Sequence, residues 1–144
     1  MDTTAKPPAF VVIYDFVCPY SFIAQHEIDR ITEEYELPAP TWRPHWLHPD
    51  IPVEGRPYPP EVDDEKRDAL RMWLGEMSPE MGRDLTLPSQ QHYSLHAFAA
   101  MEYATDHGAG ASFRRAVFHA LWRENSDIGR LRFSSRCSRS RGSR

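Results

Sequence analysis

The chain has 144 residues, 26% charged and 12% aromatic, with 17 basic residues against 21 acidic ones and two cysteines. That length fits one domain with a buried core, and the aromatic content argues against wholesale disorder. Two cysteines cannot make the disulfide framework of a small secreted protein, and no apolar run approaches the ~20 residues of a membrane helix. Met1–Pro8 lacks the basic and apolar regions of a signal peptide, so a soluble, cytoplasmic domain with no membrane partner is expected. Charge and proline are unevenly spread. Residues 130–144 carry +6, the rest carries −10, and all 13 prolines lie at or before Pro88.

Phe10 to Tyr14 is a nearly continuous β-branched and aromatic run, the pattern of a strand buried on both faces in a parallel sheet. Pro19 suits the first turn of a helix, where its missing N–H costs nothing. Phe22, Ile23, His26, Ile28, Ile31 and Tyr35 follow at helical spacing, and the Glu33–Glu36 cluster and Pro38 end that helix. Thr41 to Leu47 alternates like a strand, with Pro44 implying an edge or a local irregularity. Residues 9–48 thus read as a β-α-β unit, with chemistry expected where the first strand meets its helix.

Residues 49–60 are a proline-rich connector, and residues 61–129 are helical in pattern. Asp63 or Asp64 can cap a helix bearing Leu70, Trp73, Leu74 and Met77 on one face. After a break at Leu85–Pro88, the residues Leu95, Phe98, Ala99, Met101 and Tyr103 form a second helical face, stopped by Gly108. Ser112 can cap a third helix carrying Phe113, Val117, Phe118, Leu121 and Trp122, and Asn125–Gly129 is a turn. Trp73, Trp122, Phe98, Phe113 and Phe118 are most simply core. Residues 130–144 form a basic Arg/Ser tail without regular pattern, expected to be unstructured. Its charge alone does not make a nucleic-acid site, because the body is acidic and Phe133 is its one aromatic.

The sharpest chemical feature is Cys18-Pro19-Tyr20-Ser21, at the strand–helix junction. A thiol there lies beside the first free N–H groups of the helix and the positive end of its dipole, both of which favour thiolate. Ser21 stands where a hydroxyl can donate to that sulfur, but unlike a second cysteine it cannot resolve a mixed disulfide. The plainer alternative is a cysteine that serves as a small buried hydrophobe.

The segment from Val12 to Ile23 resembles the active site of the DsbA-like branch of thioredoxin-fold oxidoreductases, which includes FrnE-type proteins, 2-hydroxychromene-2-carboxylate isomerases and kappa-class glutathione transferases. Trp42-Arg43-Pro44 with Leu47-His48-Pro49 resembles the family's second strand and following turn, and residues 61–129 resemble its helical insertion. The resemblance implies an α/β, thioredoxin-like fold with a helical insertion. It also implies a thiol–disulfide oxidoreductase with Cys18 as nucleophile, Ser21 beside the sulfur, and Pro19 and Tyr20 shaping substrate access. Where the oxidoreductases carry Cys-x-x-Cys, this chain has serine at the second position. That suits mixed-disulfide exchange with a protein or glutathione, with glutathione as co-substrate and no metal or tightly bound cofactor.

Two alternatives stay open: a glutathione-dependent isomerase or transferase, and a catalytically inactive, truncated member. The family continues after its helical insertion with two strands, a helix and a cis-proline loop. No proline follows Pro88 here and no strand pattern follows Gly129, so the C-terminal half of the fold is expected to be absent. The resulting two-stranded sheet would favour pairing with a partner, a homodimer included.

His92 and His96 have the i, i+4 spacing of two metal ligands, but no third ligand is evident, and zinc is not expected. His45 and His48 read as surface or core residues, with substrate contact as the alternative.

Overall fold

The computed structural model describes residues 10–130. Strand β1 (Val11–Tyr14), helix α1 (Pro19–Glu34) and strand β2 (Thr41–Pro44) form a β-α-β unit with the two strands parallel. Val11 lies opposite Thr41 and Tyr14 opposite Pro44. Pro44 is the last strand residue, so its missing N–H breaks no ladder within the strand. Helix α1 ends through Glu36 in the left-handed region (φ 49°), and the Leu37 amide reaches back to the Thr32 carbonyl at 2.9 Å.

The strand expected to be buried on both faces is buried on one. Tyr14 is buried against Phe98 and Phe118, whereas the alternate residues Val11 and Ile13 are 51% and 69% exposed. Among the described residues the sheet has two strands, and nothing covers that second face.

Helix α2 (Asp64–Met77) is capped by Asp63, whose carboxylate accepts from the Lys66 amide at 3.0 Å. Of its expected face Leu74 is buried and Leu70 half-buried, while Trp73 and Met77 are exposed. Trp73 is therefore not core. A one-turn helix, α3 (Pro79–Gly82), follows at once; Ser78 ends α2 and accepts from the Met81 amide. Its single turn is too short to show a helical period in the sequence.

Helices α4 (Leu95–Asp106) and α5 (Gly110–Trp122) pack together. The buried face of α4 is Ala97, Phe98, Met101 and Ala104; Ala99 and Tyr103 point outward. In α5 every residue of the expected face is buried, but the helix starts two residues before Ser112, with Ala109 at the cap. Gly108, at φ 71°, makes the turn between them.

The core where these pieces meet is aromatic: Tyr14, Phe16, Phe22, Phe98, Phe118 and Trp122, with neighbouring rings 5.0–6.3 Å apart. Beside it Arg114 of α5 is buried, donating to Gln25 at 3.1 Å and Asp29 at 2.7 Å on α1, with its guanidinium 3.8 Å from the Trp42 ring centre. Sheet and helices thus share one core. No helix among the described residues is long and apolar enough to cross a membrane. Cys137 and the tail beyond Arg130 lie outside the described residues.

Candidate functional site at the start of helix α1

Cys18 is the N-cap of α1, half-buried, with extended backbone (φ −89°, ψ 119°) and Pro19 in the first turn. Its amide donates to the Asp15 carbonyl at 3.1 Å, closing a tight turn, and its carbonyl accepts the first helical bond from Phe22 at 3.2 Å. The chain therefore leaves β1, turns once, and presents the thiol at the helix N-terminus. This is the placement expected from the sequence.

The other expected site residues surround it differently. The Ser21 hydroxyl accepts from the Asp15 amide at 3.4 Å, so it braces the turn that carries Cys18. That is the bond the structure gives it, in place of the expected one to sulfur. Tyr20 is 45% exposed, with its ring edge-on to Trp73 of α2 at 5.1 Å. The exposed Trp73 thus belongs to the surroundings of the site.

Chain neighbours of Cys18 line two hollows, though Cys18 itself lines neither. On the helical side a cleft of about 220 Å³ is lined by Val17 and Pro19 together with His48, Tyr58, Lys66 and Arg67. On the sheet side a hollow of about 200 Å³ is lined by Tyr20 and Ser21 with Ile13, Tyr14 and Trp42. His48 is exposed and borders the first cleft. Arg67 is fixed by donating to the Pro88 carbonyl at 2.9 Å and lying over the Tyr58 ring.

Asp15 was missed by sequence reasoning. It is 2% exposed; its carboxylate accepts from the Val17 amide at 3.1 Å, the Leu47 amide at 3.0 Å and the Ser94 hydroxyl at 3.4 Å. Burial pushes its acid strength down, raising the pKa above the usual carboxylate range, against the opposing pull of those donors and of His48. The only sequence signal was an aspartate inside the chain's longest apolar stretch.

The two spaced histidines each turn Nδ1 toward a partner within the chain. His92 precedes α4, its Nδ1 lies 3.4 Å from Asp127, and burial lowers its pKa; His96 Nδ1 is bonded to the Gly129 carbonyl at 2.8 Å. Among the described residues no group of three or more His, Cys, Asp or Glu could hold a metal ion.

A sequence model of the DSBA-like thioredoxin domain matches residues 10–142. The chain belongs to the DSBA-like thioredoxin domain family. The family match begins at the first described residue of the β-α-β unit and runs beyond residue 129, into the tail where no regular pattern was read. Among curated proteins, the uncharacterized protein YwbO of Bacillus subtilis (strain 168) is 25% identical over 125 residues, 82% of this chain and 58% of its own length. Among solved structures, selenomethionine 2-hydroxychromene-2-carboxylate isomerase is similar with a TM-score of 0.58 and 21% identity, over 88% of this chain and 64% of that one. This likeness supports the thioredoxin-like α/β fold. The chain spans less than two thirds of the length of either relative.

Proposed function

We propose that this DSBA-like domain exchanges thiols and disulfides through Cys18 alone. The observation that carries the reading is the placement of Cys18 at the N-cap of α1, next to residues that line two hollows, with Ser21 where the family's oxidoreductases carry a second cysteine. Thiolate is the attacking form in such exchange.

In the first step the Cys18 thiolate attacks one sulfur of a disulfide. A new S–S bond forms to Cys18, the substrate's S–S bond breaks, and the other half leaves as a thiolate that takes a proton from solvent. In the second step an external thiolate, such as that of glutathione, attacks the mixed disulfide and restores Cys18. Electrons balance without a further oxidant. Ser21 cannot perform the second step itself, so the external thiol is obligatory. Pro19 lines one hollow and Tyr20 the other, and both shape access to the sulfur.

The test is turnover of a small disulfide, bis(2-hydroxyethyl) disulfide, with glutathione as reductant. Turnover by the Cys137→Ser chain that is lost in Cys18→Ser supports the reading. Turnover unaffected by Cys18→Ser overturns it. Glutathione-dependent conversion of 2-hydroxychromene-2-carboxylate with no disulfide turnover would select the isomerase alternative. The structural likeness to such an isomerase makes that substrate the appropriate control.

A further inference from the structure

Every polar group of Asp15 is spent on the segments that frame Cys18. Its carbonyl accepts from the Cys18 amide, its amide donates to Ser21, and one carboxylate oxygen accepts from Val17. The other oxygen takes the Leu47 amide, just after β2, and the hydroxyl of Ser94, at the start of α4. Ser94 is the N-cap residue of α4, yet its side chain makes no capping bond to that helix. It is given to Asp15 instead, although an N-cap serine ordinarily stabilises its own helix.

We infer that Asp15 is a positioning residue. Its carboxylate locks the Asp15–Cys18 turn against the exit of β2 and the start of α4, and so fixes where the sulfur stands relative to the cleft that Val17, Pro19 and His48 line. This rests on the reading of Cys18 as nucleophile. The physical reason for a carboxylate is its acceptor-only character. Three donors converge on two oxygens, and an amide in its place would turn an N–H₂ group toward at least one of them. The bonds are charge-assisted when the group is ionised, which makes them stiffer than neutral ones.

The test compares the full chain on a Cys137→Ser background with its Asp15→Asn and Ser94→Ala variants, each far below its own unfolding midpoint. Two readouts are taken: the rate of mixed-disulfide formation with bis(2-hydroxyethyl) disulfide, and hydrogen exchange at the Val17 and Leu47 amides. In Asp15→Asn, the expected result is a rate about tenfold lower, the equivalent of one charge-assisted bond, in a chain that is still folded. Those two amides lose protection while the α5 amides keep theirs. Ser94→Ala shows a smaller loss in the same direction, and it carries the comparison if Asp15→Asn does not fold. A folded variant with the parent's exchange rate and unchanged protection at Val17 and Leu47 overturns the inference. A parent chain whose Cys18 reacts with no disulfide sinks the proposed function instead; the amide protection then still decides whether Asp15 holds the turn.

Discussion

The indole of Trp122 donates to the carbonyl of Phe16 at 2.8 Å, across 106 residues of sequence, and both groups are buried. It ties the last turn of α5 to the loop that delivers Cys18. The helical part of the chain is therefore a wall of the site and not a separate unit. The same tryptophan stacks on Phe22, in the first turns of α1, at 5.8 Å between ring centres.

Trp122→Phe keeps most of that stacking and deletes the donor. The Phe16 carbonyl is then left buried without its partner, and the expected cost is about 1–3 kcal/mol. Urea unfolding reads it as a lower midpoint with an unchanged slope. An unchanged midpoint would mean that the bond adds nothing to the fold.

Arg114 is a buried cation beside the core, and its removal has a different signature. Arg114→Met fills similar volume but strips Gln25 of its donor and Asp29 of its closest cation. Asp29 keeps Arg115 at 3.2 Å and some solvent, so the loss is expected to be about 2–3 kcal/mol, at or below the range for breaking a fully buried pair. Adding Asp29→Asn to Arg114→Met should recover part of it, since no half-paired carboxylate remains. Additive costs in that double-mutant cycle would contradict the pairing.

Asp15 gives a pH dependence whose sign follows from its raised pKa. Between the ordinary carboxylate range and that raised value, the folded chain holds a proton that the unfolded chain has released. Stability therefore falls as pH rises through this window and levels off above it. The stability difference between the parent and Asp15→Asn should accordingly be greatest at acid pH and shrink on raising the pH. A difference that grows with pH would show the carboxylate to be held below its ordinary value.

His92 works in the opposite direction. Burial lowers its pKa, with Asp127 opposing, so on acidification the unfolded chain takes up a proton before the folded chain does. Its contribution is present above the ordinary histidine range and is lost as pH falls below it. His92→Asn should flatten that part of the stability profile. Equal slopes in the parent and the variant would mean that the imidazole takes up its proton as readily in the folded chain as in the unfolded one.

The β-α-β unit, the cap position of Cys18 and the core face of α5 were legible because each rests on local chemistry: Pro19 at the helix start, and Phe113, Val117, Phe118, Leu121 and Trp122 in helical period. The errors arose where tertiary contacts decide. Trp73 looks like core by spacing, but α2 buries little beyond Leu74, and the ring ends beside Tyr20. The face of α4 was right at Phe98 and Met101, but Leu95, Ala99 and Tyr103 are apolar enough to pass for core and are exposed. Ser21 lay within reach of Cys18 by sequence, yet its hydroxyl is bonded to the Asp15 amide. Asp15 itself could not be assigned from sequence, since two of its donors, Leu47 and Ser94, lie 32 and 79 residues away.

The proposed exchange through Cys18 depends on how that one sulfur reacts in the folded chain. The most direct measurement is the rate at which glutathione disulfide modifies Cys18 in a Cys137→Ser chain, followed by intact mass, in the folded protein and in the same chain unfolded by urea. The account predicts one adduct on Cys18, formed faster in the folded chain and removed by reduced glutathione. A folded chain whose Cys18 reacts no faster than in the unfolded one would contradict it.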